Sequence, residues 1–83
     1  MKYKIKPAAA GELSRLPKDI QDRIKTKLDF YMSTGNPVHF ASRLTDSKLG
    51  NYKFRIGDYR VIFEVDNGVV EILKIGNRKD IYR

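Results

Sequence analysis

The spacing of apolar positions changes twice along the chain, and each change marks a different kind of element. Tyr3 and Ile5 alternate with Lys2, Lys4 and Lys6, the two-residue period of a half-buried strand, which Pro7 ends. Residues 8–16 are Ala-rich with Leu13 and Leu16 three apart, which predicts a brief helix. Ile20, Ile24, Leu28 and Met32 then recur every four residues with Tyr31 beside them, one apolar stripe on an amphipathic helix. Pro17 suits its first turn, Asp19 complements its dipole, and Gly35-Asn36-Pro37 closes it. Its other face carries Lys18, Asp22, Lys25 and Asp29, an ordinary solvated surface. Residues 38–51 have no clear period and read as a loop with room for a short turn around residues 40–44.

The rest reads as β. Residues 52–56, 59–65 and 69–75 are rich in β-branched and aromatic side chains. Gly57-Asp58 and Asn67-Gly68 separate the three runs, each a two-residue hairpin signal. The expected fold is α+β: an N-terminal strand, then two helices packed on one face of an antiparallel sheet. A chain of 83 residues buries only about 60% of the surface its unfolded form exposes, so a single domain over residues 1–83 is expected.

Two-residue loops dictate which residues face one another. Around Gly57-Asp58, Ile56 should pair with Tyr59, Arg55 with Arg60 and Phe54 with Val61. Around Asn67-Gly68, Val65 should pair with Val70, Phe63 with Ile72 and Val61 with Lys74. One face then gathers Tyr52, Phe54, Ile56, Tyr59, Val61, Phe63, Val65, Val70 and Ile72 and forms the core under the helices. The opposite face gathers Lys53, Arg55, Arg60, Ile62, Leu73 and Ile75, with Glu64 and Glu71 toward the far end.

Charge changes the meaning of that second face. Seventeen Lys and Arg against ten Asp and Glu leave a net +7, which points to a polyanionic or acidic partner. Like charges directly across a sheet cost tenths of a kcal/mol to about 1 kcal/mol, and Lys53 joins the two arginines there. An anion bound between them removes the conflict. The tail after Gly76 carries Arg78, Lys79 and Tyr82, placed to fold back over the basic end of the sheet. Exposed Ile62, Leu73 and Ile75 call for cover by that tail or for a docked partner.

Other features narrow the class. With no cysteine, neither disulfides nor thiolate metal sites hold the fold. No signal peptide or apolar run of membrane-spanning length is visible, and a cytoplasmic, membrane-free protein is expected. The single histidine, His39, reads as solvated loop surface. No carboxylate cluster suits Mg²⁺, and no metal, cofactor or small-molecule ligand is called for.

The run Asn51-Tyr52-Lys53-Phe54-Arg55-Ile56-Gly57-Asp58-Tyr59-Arg60-Val61-Ile62-Phe63-Glu64-Val65, followed by Ile75-Gly76-Asn77-Arg78-Lys79-Asp80-Ile81-Tyr82, resembles the RelE/ParE superfamily of bacterial and archaeal toxins. With the N-terminal strand and helix pair, the resemblance covers essentially the whole chain. It implies the toxic half of a type II toxin–antitoxin pair. For the RelE branch it implies a ribosome-dependent endoribonuclease that cuts messenger RNA in the decoding site of the 70S ribosome. By similarity the catalytic set falls on Lys53, Arg55, Arg60, Arg78 and Tyr82, and the RNA-binding set on Lys53, Arg55, Arg60, Arg78 and Lys79.

RNA can be cut by its own 2′-hydroxyl, which needs a base at that oxygen, an acid at the leaving oxygen and positive charge for the phosphorane-like state. Tyr82 is the candidate base or base-orienting group, Arg60 and Arg78 stabilise phosphate charge, and Lys53 and Arg55 hold the backbone. The implied partner is an acidic antitoxin covering the basic face and the Ile62, Leu73 and Ile75 strip. RNA contact is expected to be strongly salt-dependent. Two departures stand out. Asn77 sits where many relatives have histidine, and the extra C-terminal helix of some members is missing. Competing readings are the ParE branch, which poisons DNA gyrase, and a non-catalytic nucleic-acid-binding relic.

Overall fold

Proline extends no sheet ladder but is preorganised for the first turn of a helix. Pro7 therefore turns the chain out of β1 (Lys2–Ile5) and starts α1 (Pro7–Ser14). The computed structural model describes residues 1–45 and 48–82. Asp46 and Ser47, in the segment read as a loop, and Arg83, the last residue of the tail, lie outside the described residues. In α2 (Lys18–Ser33) the four-residue stripe buries Ile24, Leu28, Tyr31 and Met32, while Lys18 and Asp22 pair on the solvent side at 2.7 Å. A 3-10 turn (Pro37–Phe40) leads to β2 (Ser42–Arg43), followed by β3 (Tyr52–Ile56), β4 (Tyr59–Asp66) and β5 (Val69–Asn77).

The sheet order is β1-β5-β4-β3-β2, with the helices packed on one face. Two points differ from the expected antiparallel sheet. β1 runs parallel to β5, from Lys2 opposite Val69 to Ile5 opposite Ile72, so the sheet is mixed. Parallel neighbours need a long crossover, and the intervening helices and meander supply it. β2 pairs Ser42 with Lys53 and Arg43 with Tyr52 inside the segment read as a loop. Two residues are too few to show a period.

Both hairpins take the turn their residues demand. Gly57 alone has positive φ (59°) in its turn, the pattern of type II′, whereas Asn67 (51°) and Gly68 (77°) both do, the pattern of type I′. The first turn sets Arg55 opposite Arg60 and Phe54 opposite Val61, and the second sets Phe63 opposite Ile72. Beyond that point the expected register fails. A β-bulge lies between Ile62 and Phe63 of β4, where Leu73 is the extra residue on β5. Val61 consequently faces Ile75 rather than Lys74, and Arg60 faces Gly76 rather than Ile75.

The bulge turns Ile75 inward. It is 2% exposed in the main core, with its backbone N–H donating to Glu12 Oε1 at 3.0 Å. That carboxylate satisfies the edge of β5 where β1 has ended. A run of stacked rings crosses the same core, from Tyr52 through Phe63, Phe54 and Tyr31 to Phe40, at centroid spacings of 5.4, 4.3, 4.5 and 5.0 Å.

Ile62 lies on the other face and is also fully buried, contrary to its expected exposure. The backbone at Gly50 lies so close over it that a Cβ there would stand 2.7 Å from Ile62 Cγ2 and 3.2 Å from Leu73 Cδ1. Leu73 is half-buried. The strip of Ile62, Leu73 and Ile75 is thus not an open apolar surface: one residue sits in the core, and the other two are covered by the chain before β3. Truncating a buried isoleucine costs about 2–5 kcal/mol, whereas surface changes fall within about 0.5 kcal/mol. Urea denaturation of Ile62→Ala is expected to show the larger loss.

Candidate functional site

On the sheet face away from the helices, charge separates into two ends. At one end Glu64 lies directly across from Glu71. Lys6 Nζ meets Glu71 Oε1 at 2.9 Å and Lys4 Nζ at 3.8 Å. The hydrogen bond from Lys6 holds the Glu71 carboxyl below its ordinary range, its charge and that of Lys4 act in the same direction, and partial burial opposes them. This end is internally compensated.

The other end is not. Lys53 and Arg55 alternate on β3, Arg60 stands across from Arg55, and the position beyond Arg60 is Gly76, which has no side chain. Arg60 turns its guanidinium toward the hairpin end, where Nη1 donates to the carbonyls of Gly57 and Tyr59, both at 2.9 Å. Arg55 remains exposed, with no ion pair among the described residues.

The tail is folded onto this end by backbone bonds. Arg78 N–H donates to the Asp58 carbonyl at 2.8 Å, and its Nε lies 3.7 Å from the Asp58 carboxylate. Asn77 organises the turn that follows. Its Oδ1 accepts from Lys79 N–H at 2.9 Å, and its carbonyl accepts from Asp80 and Ile81. Ile81 is then buried against Gly76, which delivers Tyr82 to the basic face. The Lys53 ammonium lies 5.4 Å from the centroid of the Tyr82 ring, and that ring is 46% exposed.

Tyr82 and Lys53 border a 390 Å³ cleft closed by Arg43, Leu44, Thr45 and Leu49. Four of the five residues expected to be catalytic are cations, and all five lie on or beside one end of one face. Lys79 is exposed, and among the described residues no side-chain hydrogen bond or ion pair joins it to the others. Ile62 and Ile75 are buried and take no part in this surface. His39 is exposed on the 3-10 turn, edge-on to Phe40 at 5.4 Å, and belongs to no part of the basic face.

Sequence reasoning missed Arg43, whose guanidinium sits 5.7 Å over the Tyr52 ring. It also missed Asp58 and Asn77 as anchors of the tail. The Asn-x-Lys spacing of a side-chain-capped turn was the available signal for Asn77. Chemically, the site offers cations to a phosphate backbone, an exposed ring on which a base can stack, and one phenol.

The fold and face together define a small α+β domain with a basic sheet surface closed by its own tail. The family model for the ParE toxin of type II toxin–antitoxin systems matches residues 3–82. Toxin RelE of Mycobacterium tuberculosis is 35% identical over 81 residues, 95% of this chain and 82% of that relative. The chain belongs to the RelE/ParE superfamily of type II toxins. Two solved structures share its fold. The toxin–antitoxin complex RelBE2 of Mycobacterium tuberculosis aligns with a TM-score of 0.76 at 23% identity, over 93% of this chain and 96% of that one. The RelB–RelE antitoxin–toxin complex of Methanococcus jannaschii gives 0.70 at 22%, over 94% and 93%.

A carboxyl whose folded pKa is depressed adds stability that is fully present above its unfolded value, here 4.5, and lost as pH falls through the lower folded value. Glu71→Gln should therefore melt below wild type at pH 7. That gap should narrow as thermal scans are run at progressively more acidic pH.

Proposed function

We propose that this chain is a ribosome-dependent endoribonuclease that cuts messenger RNA in the decoding site, acting in the cytoplasm as the toxin of a toxin–antitoxin pair. The observation that carries the reading is the return of the tail, which sets Tyr82 over Lys53 on the face where Arg55 and Arg60 stand across from each other. A surface that only held a polyanion would need the cations and no phenol among them. The relative named Toxin RelE adds support from sequence.

In this reading the 2′-oxygen of one nucleotide attacks the adjacent phosphorus and the bond to the 5′-oxygen breaks. The products are a 2′,3′-cyclic phosphate and a free 5′-hydroxyl. Tyr82 takes or orients the 2′-proton. Arg60 and Arg78 stabilise charge on the phosphate oxygens, and the one nearer the leaving oxygen gives it the proton that makes the 5′-hydroxyl, while Lys53 and Arg55 hold the backbone and assist proton transfer. Arginine is a poor acid, so positioning of the message by the ribosome supplies much of the rate. Naked RNA should be cut weakly.

The partner is an acidic antitoxin that neutralises the basic face. Both structural neighbours are complexes of a toxin with its antitoxin, which supports a partner of this kind. The buried Ile62 and Ile75 contribute nothing to that contact.

The family model carries the ParE name, which keeps a gyrase poison as the second reading. Induced expression separates the two. Under the nuclease reading Arg60→Ala and Tyr82→Phe both lose growth arrest, by about 10²-fold or more in any cleavage rate that depends on these groups. A gyrase poison would keep arrest in both variants and induce a DNA-damage response.

A further inference from the structure

Arg23 lies outside the catalytic set, yet its guanidinium reaches the turn on which that set is built. It projects from the exposed side of α2, one residue before the core residue Ile24. A Cβ placed on Gly57 would stand 3.1 Å from both Arg23 Nη1 and Nη2 and 3.2 Å from Cζ, so the charged group itself, not its aliphatic stem, lies against the bare glycine. Arg60 approaches the same residue, donating from Nη1 to the Gly57 carbonyl at 2.9 Å. Arg78 pairs with the next residue, Asp58.

Three guanidinium groups from α2, β4 and the tail thus converge on a two-residue turn that holds one carboxylate. That carboxylate is 72% exposed and 3.7 Å from Arg78, a weak pair. No described residue pairs with Arg23: Asp22 is engaged by Lys18, and Asp19, one turn earlier, makes no ion pair with it. Concentrated positive charge with so little acid is unfavourable until an anion arrives. Gly57 permits this approach twice over. Its φ of 59° favours glycine, and the missing side chain leaves the space in which the Arg23 guanidinium lies.

We propose that Arg23 provides a phosphate subsite beside the Gly57–Asp58 turn, which holds a backbone phosphate of single-stranded RNA flanking the one bound by Lys53, Arg60 and Tyr82. Its planar fork matches phosphate oxygens in pairs. The subsite rests on the RNA reading above and extends its path around the end of the sheet toward α2.

The test uses the purified full chain and a fluorescein-labelled oligouridine, with affinity measured by anisotropy over a range of KCl concentrations. For single strands, log K falls with log salt by about 0.7 per phosphate contact. Arg23→Gln should bind several-fold more weakly at low salt with a slope shallower by about 0.7, and Arg23→Lys should restore most of it. A wild-type slope and affinity in Arg23→Gln would overturn the subsite while leaving the RNA reading intact. Absence of salt-dependent RNA binding by the wild type would overturn both. Unchanged RNA binding with weakened binding of a polyglutamate peptide would assign the turn to a protein carboxylate and overturn the phosphate subsite. The Arg23 Nε–H resonance of the wild type gives a readout independent of any variant's folding: it should shift when the oligouridine is added, and a fixed resonance counts against the site.

Discussion

A two-residue turn leaves an antiparallel ladder no freedom of register, and at Gly57-Asp58 this places Arg55 directly across from Arg60. Much of the surface follows from that one constraint. Repulsion between facing cations is of the order of tenths of a kcal/mol to about 1 kcal/mol. Arg60 relieves it by swinging to the carbonyls of Gly57 and Tyr59, away from its partner. The same turn then recruits Arg78 through the Asp58 carbonyl. Arg78 begins the tail that carries Tyr82, so the hairpin that concentrates the charge also positions the phenol. Register, electrostatics and site geometry are one problem here.

The bulge at Leu73 solves a second conflict. Strict alternation from the Asn67-Gly68 turn would send Lys74 into the core opposite Val61 and leave Ile75 outside on the basic face. One extra residue in β5 reverses both outcomes. Ile75 enters the core and Gly76 arrives beside Arg60, leaving room where a large side chain would have stood. Ile81 uses that room, packing on Gly76 to hold the tail down. Bulges recur where a strand must re-aim its side chains near a functional surface, and this one re-aims a whole segment.

These two devices mark what the sequence disclosed and what it did not. The α2 stripe, both hairpin turns and the Arg55–Arg60 pair were legible because local chemistry determines them: a four-residue period, glycine at positive φ, and loop length. The parallel docking of β1 was not legible, since strand direction across a helical crossover leaves no local trace. Nor was the two-residue β2. The bulge did leave a sign, because a lysine at a core position in the middle of an apolar run shows that alternation must break. Misreading it placed Ile75 outside and, with Ile62, suggested an apolar surface that the folded chain covers. Arg23 was hidden for another reason. On a helical wheel it is an ordinary solvated residue, and only the packing of α2 across the sheet end brings it to Gly57.

Membership of the RelE/ParE superfamily rests on matches spanning nearly the whole chain, and the face described above gives that membership a chemical content. The central claim is that these cations and Tyr82 cut RNA on the ribosome. Mapping of 5′ ends of messenger RNA on translating ribosomes, after brief induction of the chain, tests it most directly. The account predicts new 5′-hydroxyl ends within the codon that occupies the decoding site. Intact messages during full growth arrest would contradict it.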